Sequence, residues 1–289
     1  MKLTPYDKLL LRKRKWSPVQ TTAGKLKEGA EETIFRALAI RHMELPVGDW
    51  IAETLGKDVP KSARVLLESN VKDEENHDLA LGYITNALGV DEKAEAEAFR
   101  LRDAWMAHPD HEILKALVAE RAIFFVLLPF FRFTGDAGLR TVSADISRDE
   151  QIHVGCNSLV CHDMGLRPSP SLDKLRKATI HWIFEPLGRN TQDKYLDRKF
   201  WTDTSDRLMY EGKAPELSDT KRARMPSFLN MQIQTSQSTL DWGRLERIVE
   251  ELEERFPDKF PDHNLDPKQI AYRAGQLSII KLLKQQLKE

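Results

Sequence analysis

Apolar residues recur every three or four positions along most of this chain, which is the spacing of an amphipathic helix. The clearest stripe runs along residues 60–89, and Glu74 and His77 occupy positions of that same stripe. No stretch shows the alternating pattern of a strand or a hairpin, so we expect an all-α fold. The apolar members of the stripe are Val65, Leu67, Val71, Leu81, Ile84 and Leu88.

Further helices are predicted on both sides of this one. Residues 27–55 are expected to form a helix with a kink just beyond Glu44, because Pro46 and Gly48 both weaken a helix there. A third apolar face runs from Ile113 to Phe131. The other predicted helices cover residues 91–107, 137–164, 238–256 and 267–288, with more helices inside 170–236 around a loop at 212–226.

The composition becomes more charged after Pro168. We therefore expect residues 1–168 to form a helical bundle with an N-terminal arm. Residues 169–289 are expected to form a C-terminal helical extension that packs on the bundle.

Charged residues fall at positions where these stripes predict core. Glu120 is the single charge on the third apolar face, and Glu150 and His153 lie on the stripe of the helix over 137–164. Buried charges are costly unless they are paired or coordinated. One such charge in each of four helices is difficult to explain without a cation.

Two glutamate pairs have the same spacing along the chain, Glu44 with Glu74 and Glu120 with Glu150. The second member of each pair opens a Glu-x-x-His motif, which places a carboxylate and an imidazole on one helix face. Each pair also straddles a predicted turn almost symmetrically, whereas Glu32, a rival for the first position, lies roughly 15 Å too far from its turn. The resulting set could hold two metal ions, Fe/Fe or Mn/Fe, and consists of Glu44, Glu74, His77, Glu120, Glu150 and His153.

Bulk composition narrows the classes of partner. The 289 residues include 44 basic and 45 acidic side chains, for a formal net charge of −1, so neither nucleic acid nor a membrane surface is expected as a partner. The start of the chain lacks an apolar signal core, and no apolar stretch is long enough to span a bilayer, so we expect a soluble, cytoplasmic protein. Cys156 and Cys161 lack the spacing of a metal or redox site and are expected to be reduced.

Three short motifs carry a resemblance to a known family. Residues 148–153 read Arg-Asp-Glu-Gln-Ile-His, residues 120–125 read Glu-Arg-Ala-Ile-Phe-Phe, and residues 16–18 read Trp-Ser-Pro. They resemble the Arg-Asp-Glu-x-x-His, Glu-x-x-x-Phe-Phe and Trp-x-Pro motifs of the class I ribonucleotide reductase small (beta) subunit, a member of the ferritin-like superfamily. The likeness covers roughly residues 10–165.

The resemblance implies a ferritin-like four-helix bundle whose metal pair activates O₂. It also implies radical transfer through Trp16, Asp149 and His77 toward a ribonucleotide reductase large subunit, since Asp149 can bond the outer nitrogen of a ligating histidine. A homodimer, paired through the outer faces of the first two ligand helices, is implied as well. We therefore expect an O₂-activating oxidoreductase that generates an oxidising equivalent for its partner.

Two departures from the family pattern keep other functions open. The family's radical tyrosine lies four residues after the first ligating histidine, where this chain has Leu81, so a tyrosyl radical at that place is excluded. The family also ends in a flexible tail with a docking tyrosine, whereas this chain ends in an amphipathic helical pattern in which Tyr272 is the candidate counterpart. The alternative function is a stand-alone, ligand-binding oxidase or oxygenase of the same fold, and ferritin-like iron storage is a third. The alternative would bind its substrate beside Leu81, Phe124 and Leu128.

Overall fold

The computed structural model describes residues 3–57, 59–214 and 217, all of which belong to one compact unit, Met1–Pro226. Within these ranges helices predominate and no β-strand occurs, although Gly188 and Asp197 form an isolated bridge. The all-α prediction is therefore confirmed for this part of the chain. The helices are α1 (Pro5–Leu10), α2 (Glu31–Ala39), α3 (Glu44–Leu55), α4 (Lys61–Leu88), α5 (Glu92–Met106), α6 (Glu112–Ala119), α7 (Phe125–Thr134), α8 (Ala137–Asp163), α9 (Pro170–Phe184) and α10 (Arg198–Glu211), with a π-helical segment over Glu120–Phe124 and 3₁₀ turns over Ile40–Met43 and Lys194–Leu196.

Four helical segments pack together around the centre of this unit. Helix α3 packs against α4 and α6, while α8 packs against α4, α6 and α7. Helices α9 and α10 pack against each other and against the α6–α7 segment. The predicted division of the chain at residue 168 stays a prediction, and the helices predicted over 238–256 and 267–288 lie outside the described residues.

The turn between α7 and α8 follows directly from its sequence. The Asp136 carboxylate accepts the Leu139 N–H at 2.8 Å and so caps the first turn of α8. At Gly135 a Cβ atom would lie 2.6 Å from the Phe131 carbonyl oxygen, so only glycine fits there. This sharp reversal makes α7 and α8 antiparallel neighbours, as the spacing of the second glutamate pair requires.

The helix is broken just before Glu44, whereas the sequence predicted a kink just after it. Helix α2 ends at Ala39, a 3₁₀ turn covers Ile40–Met43, and Glu44 begins α3. Pro46 therefore lies in the first turn of α3, where a backbone N–H has no helical acceptor and proline is tolerated. The proline is consistent with the start of a helix here, and the expected kink beyond Glu44 is wrong.

The stripe along α4 is displaced from its predicted position at one end. Val65 was expected in the core but is 57% exposed, and Leu45 on α3 is 48% exposed. The buried face of α4 passes through Leu66 and Asn70 instead. The predicted stripe residues Leu67, Leu81 and Ile84 are buried as expected, so the stripe is misplaced only near Val65, where the polar Asn70 lies on the buried face.

The segment Ile113–Phe131 is buried on nearly all sides, as expected for a central helix. Cys156 and Cys161 are both free and buried, in agreement with the prediction of reduced residues. In the described ranges, none of the helices has the length and apolar character that crossing a membrane requires.

Candidate metal centre

The structure brings all six predicted ligand residues together in the core. Each side chain is at most 2% exposed. Their oxygen and nitrogen atoms form two groups, in each of which the atoms lie within 4.8 Å of one another. Glu74 belongs to both groups, so the two are joined into one cluster. The first group is Glu44, Glu74, His77 and Glu150, and the second is Glu74, Glu120 and His153.

Both imidazoles present Nδ1 to this cluster. His77 Nδ1 lies 3.5 Å from Oε2 of Glu74, and His153 Nδ1 lies 2.9 Å from Oε1 of the same residue. The Glu74 carboxylate therefore lies between the two rings, whose centroids are 5.5 Å apart. Oε1 of Glu150 is also shared, at 3.4 Å from His77 Nδ1 and 3.8 Å from His153 Nδ1.

The two remaining carboxylates each belong to one side of the cluster. Glu44 Oε2 lies 3.6 Å from His77 Nδ1, and Glu120 Oε1 lies 3.7 Å from His153 Nδ1. The side around His77 thus combines three carboxylates with one imidazole. The side around His153 has the same composition if the shared Glu150 is counted with it.

Close helix packing makes this convergence feasible. A Cβ atom at Gly48 would lie 3.3 Å from Cβ of Glu74, so the glycine lets α3 approach α4 beside the cluster. The π-helical segment begins at Glu120, another residue of the cluster. It is held by α10, whose Ser205 hydroxyl donates to the Ala122 carbonyl at 2.6 Å. The buried Arg176 guanidinium in turn donates to Ser205 at 2.6 Å.

Unpaired polar atoms in the cluster are consistent with a site that could hold metal ions. Leaving a buried polar group without a partner costs about 1–3 kcal/mol. Carboxylate oxygens and imidazole nitrogens are ligands for first-row transition metals, so the residues present could hold metal ions. The atoms without a well-aligned hydrogen-bond partner among the described residues are both carboxylate oxygens of Glu74 and of Glu150, Oε2 of Glu44, Oε1 of Glu120, and Nδ1 of His77 and of His153.

Burial and the crowding of carboxylates raise most of the pKa values in this cluster. Burial raises the pKa of Glu44 and of Glu120 well above the ordinary value, and that of Glu150 is also raised. Glu74 is the exception, because the nearby histidines outweigh its burial and lower its pKa.

The two histidines have raised pKa values. Burial disfavours the charged imidazole of His77, but Asp149 and the surrounding glutamates outweigh this and hold its pKa well above the ordinary value. Burial also acts against the charged form of His153, yet Glu74 and Asp73 raise its pKa to about 10. Without a metal the cluster compensates its negative charge by binding protons, as metal sites generally do.

Metal affinity should therefore rise with pH. A group with a raised pKa keeps its proton until the pH passes that pKa, so each metal ion must displace protons from the cluster up to about pH 10, the pKa of His153. Each proton released raises the affinity about tenfold per pH unit. Calorimetric titration at pH 6 and at pH 8, in buffers of different ionisation enthalpy, measures the metal affinity and the number of protons released. An affinity that does not change between these two pH values would contradict this prediction.

The predicted path residues Trp16 and Asp149 are also brought together. The Trp16 indole Nε1 donates to Asp149 Oδ2 at 2.6 Å, and the same oxygen lies 3.4 Å from His77 Nε2. Asp149 is buried, and the Trp16 ring stacks on the His77 ring at 6.2 Å between centroids. The carboxylate therefore links the outer nitrogen of His77 to the indole.

A matching carboxylate on the other side was missed by the sequence analysis. Asp73 Oδ2 lies 2.9 Å from His153 Nε2, and its carboxylate forms an ion pair with Lys13. Burial raises the pKa of Asp73, but His153 and Lys13 outweigh it, so the pKa is below the ordinary value. The sequence does contain a signal, because an aspartate immediately precedes the glutamate of both Glu-x-x-His motifs.

Another missed residue is Asn157, one helical turn beyond His153. Its side-chain amide donates to Glu120 Oε2 at 2.7 Å and so orients that carboxylate. The expected pocket residues Leu81, Phe124 and Leu128 are all buried in the core. Their role in binding a substrate stays a prediction.

Comparisons of the chain with protein-family models, with curated proteins and with solved structures found no match.

Proposed function

We propose that this chain is a dinuclear metal carboxylate protein that activates O₂, of the same kind as the class I ribonucleotide reductase small subunit. The observation that carries the proposal is the pair of joined ligand groups, in which most of the buried oxygen and nitrogen atoms face one another without well-aligned hydrogen-bond partners among the described residues. The metal ions are Fe/Fe or Mn/Fe, and all six ligands come from this chain. They are Glu44, Glu74, His77, Glu120, Glu150 and His153.

We infer a ferritin-like four-helix bundle for the fold. In support, the ligands come from α3, α4, the π-helical segment and α8, and these elements pack against one another. Two antiparallel helix pairs, each with a carboxylate from one member and a Glu-x-x-His from the other, are the arrangement by which such bundles hold two metals.

Once bound, the metal pair would supply the redox chemistry that reduces O₂ and oxidises a partner. The chain's own residues exclude water from this site and orient the ligands. Asp149 accepts the indole N–H of Trp16, so when the indole gives up an electron its Nε1 proton has an acceptor at Oδ2, 2.6 Å away. Trp16 is only partly buried, which suits a residue that passes an oxidising equivalent to a large subunit.

A stand-alone oxidase is the second candidate. It is favoured by Leu81, which is buried and cannot be oxidised to a radical in place of the usual tyrosine. Together with Phe124 and Leu128 it would form an apolar wall for a small or lipid-like substrate. Iron storage is the third candidate, and no contact in the described residues favours it specifically.

Nucleotide reduction with a large subunit distinguishes these functions. The chain, loaded with iron and manganese, is added to a separately produced ribonucleotide reductase large subunit, and metal-free protein serves as the control. The proposal predicts that only the loaded protein confers nucleotide-reducing activity. Loaded protein that consumes O₂ but never supports nucleotide reduction would favour the stand-alone oxidase.

No tyrosyl radical should form beside the first ligating histidine. Leucine cannot be oxidised at accessible potentials, so after aerobic loading with iron and manganese the oxidising equivalent should stay on the metals or reach another residue. Electron paramagnetic resonance should therefore show no tyrosyl-radical signal, and any signal should come from the metal pair. A stable tyrosyl radical that disappears in Tyr83→Phe would contradict the prediction, because Tyr83 is the nearest tyrosine in the chain to Leu81.

The chain should form a homodimer through α3 and α4. Leu45 on α3 and Val65 and Leu79 on α4 are exposed apolar residues available for such an interface. Leu79→Glu should weaken the dimer about tenfold or more, because a carboxylate would be buried without a partner. Light scattering at micromolar concentration measures the change, with Val90→Glu as the matched control. A wild-type monomer at that concentration would contradict the prediction.

A further inference from the structure

The N-terminal arm, which includes Lys13 and Trp16, contacts the carboxylates behind both histidines of the cluster, but these two contacts differ chemically. On one side the neutral indole of Trp16 bonds to Asp149, which lies against His77 Nε2. On the other side the cation Lys13 pairs with Asp73, which accepts from His153 Nε2 at 2.9 Å. The two carboxylates are thus in equivalent places but carry different partners.

The Lys13–Asp73 pair is well placed to act on His153. Its side chains are only 11% and 14% exposed, so solvent screens their charges less than in a surface ion pair. The neighbouring pair Arg14–Asp145 is looser, at 3.5 Å, with side chains 39% and 30% exposed. Arg14 has no hydrogen bond or ion pair to the carboxylates that support His77 and His153 among the described contacts.

A carboxylate behind a ligating histidine has two effects on the ring. It orients the ring, and it makes the inner nitrogen a stronger donor because the outer N–H is shared with a negative charge. A lysine on that carboxylate keeps the orientation but neutralises part of the charge. The Trp16 indole orients Asp149 in the same way without adding a positive charge.

We infer that Lys13 and Asp73 are positioning residues that make the two metal positions inequivalent, with the position at His153 binding divalent metal more weakly. The inference rests on the proposed function, because it requires two metal positions. Asp73 aims Nδ1 of His153 into the cluster, and Lys13 lowers the donor strength of that nitrogen. Among the described residues no cation pairs with Asp149, so the position at His77 fills first.

The consequence is a pair of substitutions with opposite effects. Lys13→Met removes a unit positive charge near the His153 position and should raise its affinity for Mn²⁺ about tenfold. Asp73→Asn removes the charge that polarises the ring and should lower the affinity there about 10–100-fold. A folding defect would weaken both positions in both variants, so it cannot produce this pattern.

The experiment uses the full chain with Mn²⁺ alone. Crystals are grown with one equivalent of Mn²⁺, and anomalous scattering at the manganese edge gives the occupancy of each position, while calorimetry gives the affinities in solution. Wild-type protein should favour the His77 position, Lys13→Met should shift occupancy toward His153, and Asp73→Asn should shift it further toward His77. Arg14→Met, one residue along the same arm, should leave the ratio as in wild type.

The remaining outcomes overturn the inference. They are an unchanged ratio in Lys13→Met, a shift away from His153 in that variant, an equal shift in Arg14→Met, or an unaltered ratio in Asp73→Asn. If wild-type protein binds two Mn²⁺ ions and one of these results appears, only the inference fails. If wild-type protein binds Fe²⁺ but no Mn²⁺ at the cluster, only the inference fails, and if it binds neither ion there, the inference and the proposed function fail together.

Discussion

Replacing Glu74 by alanine should remove both metal ions from the protein. The carboxylate of Glu74 belongs to both ligand groups, with one oxygen 3.5 Å from His77 Nδ1 and the other 2.9 Å from His153 Nδ1. Its loss should lower the affinity at each position by more than about 100-fold, beyond the effect of an outer-shell partner. Elemental analysis after gel filtration and calorimetric titration measure the loss.

The adjacent residue provides the control. Glu75 is exposed on the same helix and next to Glu74, so Glu75→Ala should retain the wild-type metal content. Glu120→Ala should weaken mainly the position at His153, because Glu120 belongs to that group alone. Full metal occupancy in Glu74→Ala would show that the buried cluster is not the binding site.

Replacing Trp16 by phenylalanine should abolish nucleotide reduction with a large subunit while leaving metal loading intact. Phenylalanine keeps an aromatic ring against His77 but removes the N–H that donates to Asp149 at 2.6 Å. The proposed transfer path from His77 through Asp149 toward the surface would then lack its outer redox-active residue. Turnover is measured with the large subunit, and metal content and the rate of O₂ consumption are measured on the chain alone.

Substitution of a second tryptophan distinguishes a role of Trp16 in radical transfer from a role in packing. Trp182 is also partly buried, and its ring packs on Arg36 at 5.6 Å, so Trp182→Phe should leave turnover and metal loading unchanged. If Trp16→Phe lost metal loading and turnover to the same extent, Trp16 would be a packing residue. That result would favour the stand-alone oxidase.

The regular recurrence of apolar residues every three or four positions was sufficient to predict the helices that carry the site. Helix α4, predicted over 60–89, covers Lys61–Leu88, and the helix predicted over 137–164 covers Ala137–Asp163. Five of the six buried polar residues could be predicted because each interrupts an apolar stripe, and Glu44 was predicted from its spacing to Glu74. The paired glutamate spacing then indicated which residues meet, since antiparallel helices place residues equidistant from a turn at one depth.

Contacts that depend on local backbone geometry or on tertiary partners could not be predicted in this way. The 3₁₀ turn before Glu44 and the π-helical segment from Glu120 change the helical register, which an analysis at a fixed period cannot detect. Asn70 was not recognised as a core residue because it is polar. The contact of Lys13 with Asp73 joins the arm to α4, and no spacing rule relates these two residues.

Diffraction data collected at the iron and manganese absorption edges, from crystals of the protein loaded with both metals, test the central claim most directly. We predict two anomalous peaks about 3.5–4 Å apart. They should lie between Glu44, Glu74, His77, Glu120, Glu150 and His153, with Glu74 contacting both. Peaks only at the protein surface, or a cluster that stays free of metal when ions are in excess, would contradict the account.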